Sequence, residues 1–286
     1  MVDVPTGHQA VTTLDLGGDL TVRRLGFGAM RITGPGIWGE PADGDEAIAT
    51  LRRAVELGVN FIDTADSYGP FVSERLIAEA LHPYPDDLVI GTKGGLVRPG
   101  PGRWPADGRP QHLRAACHES LQRLRLEQIA LYQFHRPDPK VPFDDSIGML
   151  VKLKDEGKIR HIGLSNVTEV QLDQAMRLTP IASVQNRYNP VDRSSEAMVD
   201  RCEAESIAFI PWAPVDSGSI GHDAAVGRVA KAHDATAHQV ALAWLLARSP
   251  VMLPIPGTGS VTHLEENMGA ASLNLTPEEV AALNAG

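Results

Sequence analysis

Apolar and polar residues alternate in blocks along the chain. Short apolar runs occur at 23–30 (RRLGFGAM), 59–63 (VNFID), 88–93 (LVIGTK) and 129–135 (IALYQFH). They continue at 159–165 (IRHIGLS), 182–188 (ASVQNRY), 207–214 (IAFIPWAP) and 251–257 (VMLPIPG). Each has the length of a buried strand. Amphipathic segments lie between them. In DEAIATLRRAVELG the apolar positions Ile48, Leu51, Val55 and Leu57 keep near-helical spacing, and Gly58 suits a C-cap. SERLIAEAL, QHLRAACHESLQRLRL, SIGMLVKLKDEGK, TEVQLDQAMRL, SEAMVDRCEAES and ATAHQVALAWLLARS follow the same pattern. Ahead of them all, TTLDLGGDLTVRRLG reads as a hairpin turning at Gly17–Gly18. Strands alternating with helices predict a parallel sheet. Eight such units in 286 residues predict a closed (β/α)8 TIM barrel with an N-terminal β-hairpin, forming one domain over 1–286. Neither G-x-G-x-x-G opening a helix nor G-x-x-x-x-G-K-[ST] occurs, which argues against a Rossmann domain or a P-loop.

A barrel carries its chemistry where its strands end, at the C-terminal rim. The second run ends at Asp63 and leads to Tyr68; the third ends at Lys93 and the fourth at His135. The next runs present Ser165–Asn166, Gln185–Asn186 and Trp212. Two loops rich in Pro and Gly, 34–45 and 95–110, follow strand candidates and so rise on the same face. They bring Trp38, Arg98 and Trp104 as candidate pocket walls. Taken singly, Asp63 reads equally well as a helix cap, Lys93 as a solvated strand end and His135 as a satisfied rim histidine. Asp66 reads as a solvated loop or capping acid. Together the four titratable groups make a coherent set. A phenol begins near pKa ~10, an adjacent ammonium pulls that value down, and a carboxylate keeps the ammonium charged and oriented. A histidine beside them can orient a carbonyl oxygen. Tyr68, Lys93, Asp63 and His135 thus form a candidate general acid for a carbonyl that receives a hydride. No G-x-S-x-G elbow supports hydrolysis instead.

Composition narrows the partners. The chain is 43% hydrophobic and 22% charged, with a net charge of -10, which argues against nucleic acid or an anionic membrane. No apolar run reaches the length of a membrane span. MVDVPTGHQAVTTLDLGG lacks the pattern of an export signal. Cys117 and Cys202 are isolated, which suits a reducing cytosol and a cytoplasmic location. The histidines show no H-E-x-x-H or comparable spacing, so no metal is expected. Two other function classes stay open: a barrel lyase using Lys93 as a Schiff-base nucleophile, and a cofactor-binding regulatory subunit without catalysis.

The segments RLGFGAM, GVNFIDTADSYG, LVIGTKGG, LYQFHRPDP, KIRHIGLSN, VQNRYNPVDR, FIPWAPV and PIPGTGSVTHLEEN, in this order, resemble the aldo-keto reductases over nearly the whole chain. That resemblance implies a barrel binding a nicotinamide cofactor, usually NADPH, without a Rossmann domain. It implies that Tyr68 donates the proton, aided by Asp63, Lys93 and His135. It further implies that Ser165, Asn166 and Gln185 bond the carboxamide and that Trp212 stacks on the nicotinamide, where many relatives have tyrosine. Gly257, Thr258, Ser260, His263, Glu266 and Asn267 would hold the adenosine end, with amides opening a helix near Ser260 toward a phosphate. His263 stands where many relatives have arginine, and a neutral imidazole attracts a 2′-phosphate less strongly. Within the superfamily the chain looks most like the bacterial pyridoxal-reductase-like group. The implied partner is then a small aldehyde or ketone, such as pyridoxal or another aromatic aldehyde, with the protein a monomer or small homo-oligomer.

Overall fold

Two glycines form the turn of the first described hairpin. The structure, a computed structural model, describes residues 13–215 and 220–284. Strands β1 (Thr13–Leu16) and β2 (Leu20–Arg23) pair antiparallel around Gly17 and Gly18, whose φ values of 66° and 87° favour residues without a Cβ. Leu16 and Val22 point from this hairpin into an apolar cluster with Phe61, Val89, Leu131, Ala208 and Leu253. Those partners lie at or near strand starts, so the hairpin plugs the N-terminal end of the barrel.

The parallel sheet runs in chain order: β3 (Phe27–Gly28), β4 (Phe61–Asp63), β5 (Val89–Gly94), β6 (Ile129–Phe134), β7 (Ile159–Ser165), β8 (Ser183–Gln185) and β9 (Ala208–Phe209). The eighth run closes the ring without forming a regular strand. Leu253 donates to Phe209 O at 2.8 Å on one side, while Gly26 and Gly28 donate to Pro254 O and Pro256 O at 2.9 and 3.2 Å on the other. Pro254 and Pro256 lack the N–H groups that a continuous ladder would need. The expected (β/α)8 barrel is therefore present, with its last strand reduced to an extended seam.

Around it lie α1 (Gly44–Glu56), α2 (Val72–Leu81), α3 (Pro110–Leu124), α4 (Phe143–Asp155), α5 (Glu169–Met176), α6 (Glu196–Ala204), α7 (Ala224–Ala232), α8 (Ala237–Arg248), α9 (Val261–Gly269) and α10 (Pro277–Asn284). The amphipathic segments of the sequence supply α1 to α6 and α8; α7, α9 and α10 lie beyond them. Caps fix several starts: Asp43 accepts from Glu46 N at 2.9 Å, and Thr168 with Gln171 forms a capping box on α5. Strand alternation divides the core. In β6, Tyr132 and Phe134 face the helix layer, whereas Leu131 faces the barrel interior. Burying each such side chain contributes about 1.5–3 kcal/mol. Cys117 and Cys202 sit fully buried in α3 and α6, and burial pushes both thiols up to about 12. No helix among the described residues is long and apolar enough to cross a membrane.

Candidate active site

The strand ends meet in one cleft of about 530 Å³ at the C-terminal rim, lined by Asp63, Tyr68, His135, Ser165, Asn166, Gln185 and Trp212 among others. β4 delivers Asp63, and the turn after it brings Tyr68 back over the opening. β5 contributes Lys93, whose Nζ donates to Asp63 Oδ2 at 2.5 Å, to Thr64 O at 2.7 Å and to the Tyr68 hydroxyl at 3.3 Å. His135 follows β6. Its Nδ1 lies 3.3 Å from Ser67 Oγ, and its ring meets that of Tyr68 edge-on at 5.8 Å between centroids.

Electrostatics assign the protonation states. Burial works against the Lys93 charge, but Asp63 and the phenol outweigh it and hold the ammonium pKa above its usual value. Burial, followed by the charges of Lys93 and Arg136, holds His135 well below the ordinary histidine range, so the ring is neutral near pH 7. For Tyr68 the sequence predicts a net lowering by the lysine. Burial instead outweighs the Lys93 charge and raises the phenol above its usual value. The group therefore stays protonated at neutral pH, the form a proton donor requires.

Asp66 departs from expectation. It is neither a solvated nor a capping acid: it is 3% exposed, and its Oδ1 is buried without a hydrogen-bond partner. Burial and the neighbouring Glu74 hold its carboxyl well above the usual range. Glu74 is buried as well, but it accepts from Thr92 Oγ1 and Arg123 Nε, both at 2.6 Å.

Asn166 closes the far side of the cleft in a left-handed conformation, with φ 57°. Its amide nitrogen donates to His135 O at 3.1 Å and Ser165 Oγ at 3.0 Å, and its Oδ1 accepts from the Trp212 indole N–H at 3.2 Å. Gln185 turns its amide nitrogen to Asp63 Oδ1 at 2.9 Å and to Gln133 Oε1 at 3.1 Å. Gln133, absent from the sequence candidates, joins the same carboxylate oxygen at 2.8 Å. Its signal was available: the two-residue period of a strand puts Gln133 on the same face as Leu131 and His135.

Of the block at 257–267, Gly257 lines the cleft, while Thr258, Ser260, His263, Glu266 and Asn267 lie outside that lining, along the loop and α9. Ser260 precedes α9 as expected, but the amide of Val261 already donates to Glu46 Oε1 at 3.1 Å. Trp104 lines the cleft with its ring edge-on to Tyr68 at 6.5 Å. Trp38 does not line it. The Arg98 guanidinium lies between the two indoles, 3.4 Å from the Trp104 centroid and 5.3 Å from that of Trp38. Arg98 also donates to Ile37 O at 2.9 Å and Ser67 O at 3.0 Å, tying the two rim loops together. Met30, Arg31 and Arg136 also line the cleft and were not singled out, although all three end or follow strand runs.

The donor set suits a nicotinamide at one end. Ser165, Asn166 and Gln185 supply the hydroxyl and amide groups that a carboxamide pairs with, beside the flat face of Trp212. The phosphate end fits less well, because Glu46 takes the first amide of α9.

A barrel with this rim defines a class of carbonyl-chemistry enzymes, and comparison with known proteins agrees. The aldo/keto reductase family matches residues 24–285. An uncharacterized oxidoreductase of Schizosaccharomyces pombe is 52% identical over 93% of this chain and 87% of its own length. Pyridoxine 4-dehydrogenase of Escherichia coli is 42% identical over 93% of this chain and 96% of its own. Among solved structures, an aldo-keto reductase from Klebsiella pneumoniae in complex with NADPH superposes with a TM-score of 0.81 at 27% identity, covering 96% of this chain and 94% of that one. The chain belongs to the aldo/keto reductase family, whose members are NADP(H)-dependent oxidoreductases.

Proposed function

We propose that this protein reduces small aldehydes, with pyridoxal and other aromatic aldehydes as the preferred class, using NADPH. The observation that carries this reading is the buried chain Asp63–Lys93–Tyr68, which ends in a protonated phenol inside the cleft. Bound NADPH supplies the hydride. Ser165, Asn166 and Gln185 would hold its carboxamide, Gln185 through its carbonyl oxygen because its amide nitrogen is engaged. Trp212 would present its face to the nicotinamide ring, and its N–H holds Asn166 Oδ1.

The carbonyl oxygen of the substrate sits between Tyr68 and the neutral His135. As negative charge develops on that oxygen, the Tyr68 hydroxyl transfers its proton, and Lys93 stabilises the phenolate left behind. Asp63 balances Lys93 and does not reach substrate. The raised Lys93 pKa also disfavours the Schiff-base alternative, which needs a neutral amine. Trp104, braced by Arg98, forms an aromatic wall suited to a flat substrate. The similarity to pyridoxine 4-dehydrogenase supports the same class.

The test follows NADPH oxidation against pyridoxal, nitrobenzaldehyde, short sugars and simple ketones, with NADH in parallel. The aromatic aldehydes should show the highest kcat/KM. A preference for sugars or ketones would overturn the substrate class.

A further inference from the structure

Gln133 lies wholly buried inside the barrel, among residues that carry the proton-transfer chain. Asp63 divides its two oxygens between different partners. Oδ2 faces Lys93 at 2.5 Å, while Oδ1 accepts from Gln133 Nε2 at 2.8 Å and from Gln185 Nε2 at 2.9 Å. The two amides are themselves joined, with Gln185 donating to Gln133 Oε1 at 3.1 Å. The sheet makes room for this arrangement. Gln133 pairs in register with Gly163 on β7, and a Cβ at that position would lie 2.8 Å from Gln133 Cγ. A buried primary amide is unfavourable unless bonded, and here both of its ends are bonded within the set.

We propose that Gln133 is a positioning residue for the proton donor, fixing Asp63 so that Lys93 keeps its field on the Tyr68 phenol. This inference rests on the reading of Tyr68 as the donor. An amide donating to a carboxylate takes up part of its negative charge and prevents rotation of the group. With Oδ1 engaged by the amides, Asp63 neutralises Lys93 less completely, and more of the ammonium charge acts on the phenol 3.3 Å away. Without Gln133, the Asp63 carboxylate keeps its full charge and pairs more fully with Lys93. In that fuller pairing the phenol loses support for its ionised form, and its pKa rises further.

The experiment compares wild type, Gln133→Met, Gln133→Asn and Tyr68→Phe. Met keeps the volume and removes the amide, whereas Asn keeps the amide but withdraws it from Asp63. Tyr68 is titrated by ultraviolet difference spectroscopy with Tyr68→Phe as the blank, and the pH profile of alcohol oxidation, which needs the phenolate, is recorded alongside. Both Gln133 variants should move the Tyr68 midpoint and the acidic limb of the profile upward by about one unit, which lowers oxidation at neutral pH about tenfold. If Gln133→Met does not fold, Gln133→Asn carries the same readout. A folded variant with the wild-type midpoint overturns the inference, and so does a fall in kcat without a shift in the limb. Tyr68→Phe separates the two levels: if it keeps turnover, the donor reading fails; if it is inactive while the Gln133 variants titrate as wild type, only this inference fails.

Discussion

Lys93 Nζ and Asp63 Oδ2 stand 2.5 Å apart, and solvent reaches neither side chain appreciably. A buried pair of this kind gives little net stability as a pair, but removing one partner strands the other charge. Asp63→Asn should therefore lower unfolding stability by about 3–5 kcal/mol, and Lys93→Met should cut kcat by about 10²–10⁴-fold. Denaturant unfolding and steady-state kinetics check the two values. Both Lys93 and Tyr68 have folded pKa values raised above their ordinary ones. Their contribution to stability is present below the unfolded values of about 10 and is lost as pH rises through the folded values. Melting temperature should accordingly fall above pH ~10, and less steeply in Tyr68→Phe.

Asp66 has the opposite significance. Its carboxyl titrates well above the usual range in the fold, so the burial that favours its neutral form becomes a liability as pH rises past the unfolded value of about 3.9. Asp66→Asn has nothing to ionise. The melting-temperature advantage of the variant over wild type should grow from pH 4 to pH 8; an unchanged difference would contradict the burial assignment.

Trp212 acts through its face and through its N–H. Trp212→Phe keeps a flat ring but releases Asn166 Oδ1. A net loss of about 1 kcal/mol should weaken NADPH binding about fivefold, measured by quenching of protein fluorescence or by calorimetry, and Trp212→Ala should weaken it further.

Glu46 places a carboxylate on the first amide of α9. Replacing it with glutamine removes a charge that opposes a 2′-phosphate there. Charge effects at a helix N-terminus amount to about 0.3–1 kcal/mol, so Glu46→Gln should tighten NADPH relative to NADH by roughly two- to fivefold. His263→Arg should add to the same preference.

The parts of the site that end apolar runs were legible in the sequence, because strand periodicity fixes where such residues emerge. Asp63, Lys93 and His135 belong to that group, and Tyr68 follows one of them by a short turn. Gln133 was hidden as a single polar residue inside an otherwise apolar run, although its parity with His135 marks it as interior. The burial of Asp66 depends on the packing of α2 and α3 around Glu74 and Arg123, which no local pattern encodes. Trp38 was legible as a rim residue, yet the insertion of Arg98 between the two indoles is a tertiary event. The last strand was predicted in the right place, and its prolines explain why it forms a seam instead of a ladder.

The most direct test of the proton-transfer chain is Tyr68→Phe, assayed for aldehyde reduction and for NADPH affinity in the same preparation. Loss of the general acid should lower kcat by about 10²–10⁴-fold while NADPH binds as tightly as in wild type. Turnover within a few-fold of wild type would contradict the role given to Tyr68 and, with it, the functions assigned to Lys93 and Asp63.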